Sequence, residues 1–401
     1  MSHRIERFYL LDLLRVLAAY AVVLMHVRYF YLEPGGGRPE GFEVSGQAMY
    51  WLLYPIYENG ATAVQIFFCM SGFIFFWLYR DSIERGETTG RNFFVLRFSR
   101  LYPLHFVTLI FVAAAQWAFS DVSGGYIAFG PNTVDQFIYQ LFLATEWGLS
   151  GPSSFNGPIW TVSGEVFAYA LFFVVAALGG ANWRAVLVIM LIAGLVQEVN
   201  NRLGHALLFF FLGGMIYFVW RDVVLRLPLW RIRYQLLPVA VLLLVACCVA
   251  VSMLTRFERI MVLWFGVAPL VVFIAVLLQT CWHSLGRSTA AFGDLTYAVY
   301  LTHFPLQLVI IGTMWSLGLE IELTEFGLIA YLAGVTLISW FTFHRFELPM
   351  QRMLRRRLRG TRVAAPTPVP DAVPDAARSG DMLADDVIAA EVISGTPKPA
   401  T

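Results

Sequence analysis

The stretch that decides the fold is "LDLLRVLAAYAVVLMHV", from Leu11 to Val27. It is apolar enough to cross a membrane as a helix, yet it contains Asp12, Arg15 and His26. An Asp or Arg at the centre of a membrane helix costs at least about 2.5 kcal/mol, so such residues usually mark an ion pair or a functional site. The stretch therefore predicts a first membrane helix with a polar stripe.

Composition places the whole chain in the same class. Of its 401 residues, 58% are hydrophobic and 14% are charged, against roughly 25% charged residues in a soluble domain. Apolar runs recur at about the 20 residues that a helix needs to cross a bilayer. We predict an all-α polytopic membrane protein with ten spans, at 9–29, 61–79, 98–119, 159–179, 184–200, 203–220, 236–254, 259–281, 292–315 and 325–346. The net charge of +1 gives no reason to expect a nucleic-acid partner.

The distribution of arginines predicts the orientation, because loops on the cytoplasmic side carry an excess of basic residues. With the N-terminus in the cytoplasm, most loop arginines fall inside. The outside loops then keep only Arg38, Arg202, Arg256 and Arg259. We therefore expect both termini to be cytoplasmic. We divide the chain into a membrane domain at 1–347, a basic cytoplasmic segment at 348–362 and a disordered Ala-, Pro- and Asp-rich tail at 363–401.

The three charged groups of the first helix share one face. Arg15 and His26 are 11 residues apart, which is about 16 Å of helical rise and close to three full turns. Asp12 precedes Arg15 by three residues and can pair with it. In this orientation Arg15 lies in the inner third of the bilayer and His26 in the outer third. Two interpretations remain open: an interhelical ion pair with a core histidine, or a functional site.

Other polar residues occur at matching depths. Glu165 enters the membrane from outside within "NGPIWTVSGEVFAY" and is expected near the level of His26. Arg97 and Arg100, in "RFSRLYPLHF", are expected near the level of Arg15. Their i, i+3 spacing suits bidentate binding of phosphates, although basic anchoring at the inner surface explains them too.

These groups form two predicted layers. An inner layer of guanidinium groups suits a phosphate-bearing ligand from the cytoplasm, and an outer layer of His and Glu suits proton transfer from a hydroxyl. Their separation suggests a ligand of the length of acyl-coenzyme A spanning the protein.

Six motifs resemble the acyltransferase family 3 membrane proteins, in the order that the family has them. They are "LDLLRVLAAYAVVLMH" with Arg15 and His26, "FFCMSGFI", "RFSRLYP", "PIWTVSGEVFAY" with Glu165, "TYAVYLTHFP" with His303, and the E-x-P from Glu347 to Pro349. The departures are modest: Leu13 replaces a frequent Gly, and Gly164–Val166 is less acidic than the family pattern.

The resemblance implies an integral O-acyltransferase of a bacterial inner membrane that uses acyl-CoA, with acetyl-CoA preferred. Its acceptor would be a hydroxyl of an extracytoplasmic carbohydrate or a similar molecule. The implied roles are these: His26 and Glu165 catalytic, with Glu165 orienting His26; Arg15, Arg97 and Arg100 on the donor's phosphates; Asn156, Trp160 and His303 at the acceptor; Asp12, Ser71 and Glu347 in support. For His303, an equally good interpretation is that it satisfies the hydrogen bonds of a local helix kink.

The sequence leaves several alternatives open. A transporter or flippase for an anionic or glycan-linked substrate would use the same buried residues, although we find no internal repeat. No G-x-S-x-G motif, which would mark a serine nucleophile, surrounds Ser71 or Ser163. The sequence also lacks the H-E-x-x-H motif of a zinc-binding helix. The acyl group, the acceptor and the oligomeric state, a homo-oligomer included, remain undetermined, as does whether His26 is a base or a transient acyl carrier.

Overall fold

The computed structural model describes residues 7–35, 37–39, 41–148 and 154–359. All regular elements of these residues are helical, which confirms the predicted all-α class. In chain order the α-helices are α1 (Tyr9–His26), α2 (Tyr50–Asn59), α3 (Thr62–Glu84), α4 (Gly90–Ala118), α5 (Ser120–Ser123), α6 (Val134–Leu141), α7 (Trp160–Ala177), α8 (Trp183–Val199), α9 (Asn201–Asp222), α10 (Leu229–Arg231), α11 (Leu237–Val251), α12 (Arg256–Val262), α13 (Ala268–Cys281), α14 (Ala290–Asp294), α15 (Thr296–Ser316), α16 (Glu325–Thr342) and α17 (Leu348–Arg359). The π-helical turns Ile232–Leu236, Leu263–Val267 and Phe343–Glu347 continue α10 into α11, α12 into α13 and α16 into α17.

Nine helical segments of the described residues are long and apolar enough to cross a membrane. They are Tyr9–Tyr31, Thr62–Glu84, Gly90–Ala118, Gly157–Ala177, Asn201–Arg226, Leu229–Val251, Arg256–Cys281, Thr296–Ser316 and Glu325–Leu358. The tenth predicted span, 184–200, is α8, and it is not among the nine. Its 17 residues rise about 26 Å, less than the roughly 30 Å of a bilayer core. The protein is therefore an all-α polytopic membrane protein, with α8 as a shorter apolar helix.

Polar residues at the helix starts explain where several helices begin. The side chain of Thr89 accepts a hydrogen bond from the Asn92 N–H at the start of α4. The Asn200 side chain caps α9 in the same way. Such caps pair N–H groups that have no partner within the helix. Asn200 also donates to the backbone oxygen of Glu146, so this cap joins the α8–α9 corner to the loop before α7.

Helices α3 and α9 pack through glycines at the centre of the protein. A Cβ added to Gly72 would lie 1.7 Å from the backbone oxygen of Phe210, and one added to Gly213 would lie 2.0 Å from that of Cys69. No side chain fits at either position. This close approach buries most of α9 and positions the polar residues of α3 beside α7.

Helix α17 extends the last span along the inner end of α4. Arg355 Nε donates to Ser99 Oγ at 3.4 Å, and Arg91 donates to the Leu358 carbonyl at 2.9 Å. The basic segment predicted at 348–362 is therefore helical as far as Arg359. The predicted tail at 363–401 lies outside the described residues.

Candidate active site

The half of the bundle in which α1 ends, which we call the outer half, contains a pair of hydrogen-bonded histidines. His26, the last residue of α1, and His303, on α15, are joined by a 2.9 Å hydrogen bond between His26 Nδ1 and His303 Nε2. Their rings stack with centroids 5.1 Å apart and planes 17° apart. His303 has no exposed surface and His26 exposes 7%. The structure thus brings together two residues that are far apart in sequence.

The hydrogen bonds assign the protons of this pair. His303 Nδ1 lies 3.2 Å from the carbonyl oxygen of Val299, which can only accept, so Nδ1 must donate. In neutral His303 the Nε2 atom is then an acceptor, and His26 Nδ1 must be its donor. The remaining nitrogen, His26 Nε2, keeps its lone pair and forms no hydrogen bond with a residue that the structure describes. A neutral imidazole held in this tautomer is arranged to act as a base.

Pro305 explains why a backbone carbonyl of α15 near the histidine pair accepts a hydrogen bond from a side chain. A proline inside a helix leaves the carbonyl four residues earlier without its usual N–H partner, here that of Leu301. Asn156 Nδ2 donates to that carbonyl at 3.4 Å. The carbonyl that Pro305 releases is therefore paired by Asn156, while His303 bonds to His26.

Two buried amide oxygens near the histidine pair have no hydrogen-bond partner among the described residues. They are Asn156 Oδ1 and Gln307 Oε1, on side chains with no exposed surface. Gln307 Nε2 donates to the His26 carbonyl at 2.8 Å, which holds its amide beside the pair. Buried acceptors normally have a donor, so these two oxygens are suited to receive hydroxyl groups of a bound molecule.

Aromatic rings and a cation cover the outer side of the pair. The Tyr29 ring lies 5.2 Å from that of His26, and Phe129 lies 5.2 Å from Tyr29 and 4.9 Å from Phe304. The Arg28 guanidinium lies over Tyr29 at 5.4 Å, and its buried Nε has no hydrogen-bond partner among the described residues. The pair therefore has mostly aromatic neighbours, with one positive group beside Tyr29.

Glu165 does not pair with His26, contrary to the sequence prediction. Its carboxylate accepts a 2.5 Å hydrogen bond from Ser71, whose hydroxyl also lies 3.2 Å from that of Tyr169. The physical reason is depth: Asn156 already reaches the level of His303, and Glu165 follows nine residues later, about 13 Å further along the chain direction of α7.

Glu165 instead lies in a second group of polar residues, the inner cluster, which consists of Glu165, Ser71, Tyr169 and Arg97. The ring of Tyr169 stacks on Phe75 at 4.0 Å, and the Arg97 guanidinium lies over Phe75 at 5.0 Å. Arg97 also donates to the Tyr79 hydroxyl at 2.7 Å, while its buried Nε has no hydrogen-bond partner among the described residues. The inner layer therefore contains a carboxylate as well as guanidinium groups.

Arg100 and Glu347 lie in the same inner region. Both are close enough to Tyr297 for their charges to act on its hydroxyl, which donates to the Leu101 carbonyl at 2.6 Å. Glu347 is buried, with 3% exposed, and it ends the π-helical turn before α17. Arg97 and Arg100, both on α4, thus lie close to the C-terminal part of α3 and the start of α15.

The predicted pairing of Asp12 with Arg15 is confirmed, at 3.2 Å. Asp12 is also 2.6 Å from Arg7, which in turn contacts Asp294 at 3.3 Å. The sequence analysis missed Arg7 and Asp294, because no spacing rule links residues 287 positions apart. The network holds the start of α1 against α14.

A second polar group lies at the outer start of α7. The Arg202 guanidinium lies over the Trp160 ring at 5.4 Å and contacts Glu146 at 3.3 Å. Burial raises the pKa of Glu146 above its ordinary value, and the attraction of Arg202 offsets that only partly. The Glu146 N–H donates to Ser163 Oγ, which ties this loop to α7. Trp160 therefore belongs to this group at the start of α7, packed against Arg202.

Within the described ranges, no three His, Cys, Asp or Glu side chains are grouped so that they could hold a metal ion. The chemistry that the arrangement supports is proton transfer by an imidazole next to hydroxyl-accepting amides.

Fold and site together define a polytopic helical membrane protein with a hydrogen-bonded histidine pair buried among its helices. A family model described as an acyltransferase domain, that of acyltransferase family 3, matches residues 8–344, and the chain belongs to this family. The chain is similar to Acyltransferase MdmB of Streptomyces mycarofaciens, at 30% identity over 43% of this chain and 40% of that protein. It is also similar to Protein 2 in picA locus of Rhizobium radiobacter, at 32% identity over 27% of this chain and 46% of that protein. The chain thus matches less than half the length of these relatives, and no solved structure matches it.

Proposed function

We propose that the protein is a membrane O-acyltransferase that moves an acyl group from cytoplasmic acyl-CoA to a hydroxyl on the outer side of the membrane. One observation carries the proposal above the others. The chain of hydrogen bonds from Val299 through His303 to His26 leaves the lone pair of His26 Nε2 available. Membership of acyltransferase family 3 supports the reaction class.

In the proposed reaction His26 Nε2 takes the proton of the acceptor hydroxyl. The hydroxyl oxygen then forms a bond to the thioester carbonyl carbon, and the carbon–sulfur bond breaks. The thiolate of CoA leaves with the proton from His26, so the imidazole returns to its neutral state. His303 keeps the ring in the required tautomer and stabilises the imidazolium that forms in between.

The acceptor is proposed to be a carbohydrate or another molecule with several hydroxyls. The oxygens of Asn156 and Gln307, which have no partner in the described part of the chain, would accept hydrogen bonds from hydroxyls next to the reacting one. The apolar walls formed by Tyr29, Phe129 and Phe304 would bind the ring faces of such a molecule. Trp160, packed against Arg202 at the start of α7, would contact a further part of the acceptor.

The donor is proposed to enter between the inner arginines. Arg97 offers an unpaired Nε, and charge-assisted hydrogen bonds of this type are worth about 1.5–3 kcal/mol each. Arg100 and Arg15 lie at the same end of the bundle, and Arg15 keeps donors beyond its one bond to Asp12. Acetyl-CoA is the proposed donor, since an acetyl group is small enough for the crowded space beside two stacked imidazoles.

The proposed location is the inner membrane of a bacterium, with both termini in the cytoplasm. This orientation requires an even number of spans, so α8 must cross with the nine longer segments. Its exposed side chains Leu191, Leu195 and Val199 support contact with lipid, and local bilayer thinning compensates for a short helix.

The direct test uses the purified protein in vesicles with radiolabelled acetyl-CoA and a mixture of hydroxyl-bearing acceptors, followed by mass analysis of the products. Transfer of the label to an acceptor, lost in His26→Gln, would support the proposal. Movement of an acceptor across the membrane with no covalent product would instead favour the transporter or flippase. Unchanged transfer by His26→Gln would overturn the mechanism.

A further inference from the structure

The last span carries one exposed stripe that changes from apolar to basic along its length. In α16 the exposed side chains include Phe326, Leu337 and Phe341. Past Phe341 the next exposed residues are His344, which donates a hydrogen bond to the Trp340 carbonyl, and Arg345. Aromatic residues are typical of the membrane–water interface. The stripe therefore passes from the lipid chains through the interface at about Trp340.

Helix α17 continues this stripe as a basic face. Pro349, Arg352, Met353, Arg356 and Arg357 follow the helical spacing i, i+3, i+4, i+7 and i+8, and they surround a cavity of about 460 Å³. The opposite face, at 351, 354, 355 and 358, turns towards α4. The cavity therefore opens away from the protein, on the side that faces lipid higher up the same helix.

The three arginines of this cavity have no protein counter-charge in the described part of the chain. Arg352, Arg356 and Arg357 are exposed, and none forms a hydrogen bond or an ion pair with another described residue. By contrast, Arg355, on the other face, bonds to Ser99. Three guanidinium groups on one face attract a phosphate group, which they can bind with paired N–H donors.

The distance to the histidine pair argues against the acyl donor as the ligand. Tyr331 donates to the carbonyl of His303, so it marks the level of the pair on α16. Arg352 follows 21 residues later, which is about 31 Å of helical rise. That is about twice the rise between Arg15 and His26 and equals the thickness of a bilayer core. A phosphate in this cavity would lie at headgroup depth.

We propose that this cavity is a binding site for the headgroup of an anionic phospholipid of the cytoplasmic leaflet. The lipid phosphate would lie among Arg352, Arg356 and Arg357, next to Met353, with its acyl chains along the apolar stripe of α16. Basic clusters directly beyond a membrane helix attract anionic lipids. This site is separate from the proposed reaction and does not depend on it.

The test measures binding of a fluorescent phosphatidylglycerol to the full-length protein in neutral detergent micelles, with phosphatidylcholine as the neutral lipid. The triple variant R352Q/R356Q/R357Q is compared with R184Q/R226Q/R231Q, which removes the same charge from exposed arginines of other inner loops. We expect phosphatidylglycerol to bind the first variant about tenfold more weakly and the second as the wild type. Circular dichroism checks that both variants are folded.

Two competition experiments distinguish a lipid phosphate from a soluble phosphate as the ligand. Inorganic phosphate and CoA, each at millimolar concentration, should not displace the lipid. Displacement by either compound would assign the cavity to a soluble phosphate and overturn the proposal. Equal weakening in both triple variants would do so as well, because the effect would then follow total charge and not this site.

Discussion

His26 and His303 are the same residue type, but their hydrogen bonds give them different roles. His303 is enclosed by protein on both ring nitrogens, with Val299 on one side and His26 on the other. His26 keeps one nitrogen without a partner among the residues that the structure describes. A substitution at each position should therefore affect the reaction differently.

His26→Gln should lower turnover by about 10²–10⁴-fold, the usual loss when a positioned base is removed. His303→Gln should cost less, because the glutamine oxygen can still accept from His26 Nδ1, whereas His303→Phe cannot and should cost more. Steady-state rates with purified variants would show this order. The exposed His344 offers a control, and His344→Gln should leave the rate unchanged. An equal loss in all four variants would indicate general damage instead.

The rate should also fall on acidification. A protonated imidazole has no lone pair for the proton of the acceptor, so kcat/KM should decrease as pH falls through the titration of His26. The residual activity of His26→Gln should lack this decrease. A pH profile that stays the same after the substitution would assign the titration to another group.

Double variants should distinguish the partner of His26. His26 and His303 share a hydrogen bond, so the loss in His26→Gln/His303→Gln should be well below the product of the single losses. His26 and Glu165 share none, so His26→Gln/Glu165→Gln should come close to the product. Strong coupling between His26 and Glu165 would restore the arrangement that the sequence suggested.

At the scale of elements, the α3–α9 contact determines where the inner cluster forms. Ser71 reaches Glu165 from the turn of α3 that also contains Gly72, and Gly72 contacts the backbone of Phe210. A wider separation of α3 and α9 would also move Ser71 relative to α7. Packing and site geometry are therefore linked at this glycine.

Gly72→Ala should destabilise the protein by at least the 1–3 kcal/mol typical of overpacking, because its Cβ would overlap the Phe210 backbone. Gly194→Ala, in α8, is the matched control, since a Cβ there meets nothing within 4 Å. It should be neutral or stabilising by up to about 1 kcal/mol. Thermal unfolding in detergent measures both. Similar melting temperatures for wild type and Gly72→Ala would show that this helix contact is not as tight as described.

At the scale of the whole molecule, the membrane bundle and its inner extension should be sufficient for function. Truncation after Gly360 should preserve turnover, since 363–401 lacks the apolar periodicity of a folded element. Truncation after Glu347 removes α17 and its bonds to Ser99 and Arg91. It should lower the melting temperature. Turnover assays and thermal unfolding would be measured for both truncated proteins. Loss of turnover in the protein truncated after Gly360, with normal membrane insertion, would show that the tail contributes in a way its composition does not indicate.

The class of this protein and much of its site follow from the sequence by itself. Charged residues within apolar runs are costly, so Asp12, Arg15 and His26 identify a polar stripe without a structure. The i, i+3 pairing of Asp12 with Arg15 follows from helix geometry and is confirmed. Nine of the ten predicted spans are also confirmed as apolar helices long enough to cross a membrane.

Contacts between distant helices depended on the tertiary structure. His26 and His303 are separated by 277 positions, and depth estimates alone paired His26 with Glu165. The glycine contacts of α3 with α9, and the carbonyl that Pro305 releases to Asn156, determine how each helix is positioned along its neighbours. Hydrophobic periodicity shows which face of a helix is buried but contains no information on its axial position. That position depends on interhelical packing, which only the folded bundle specifies.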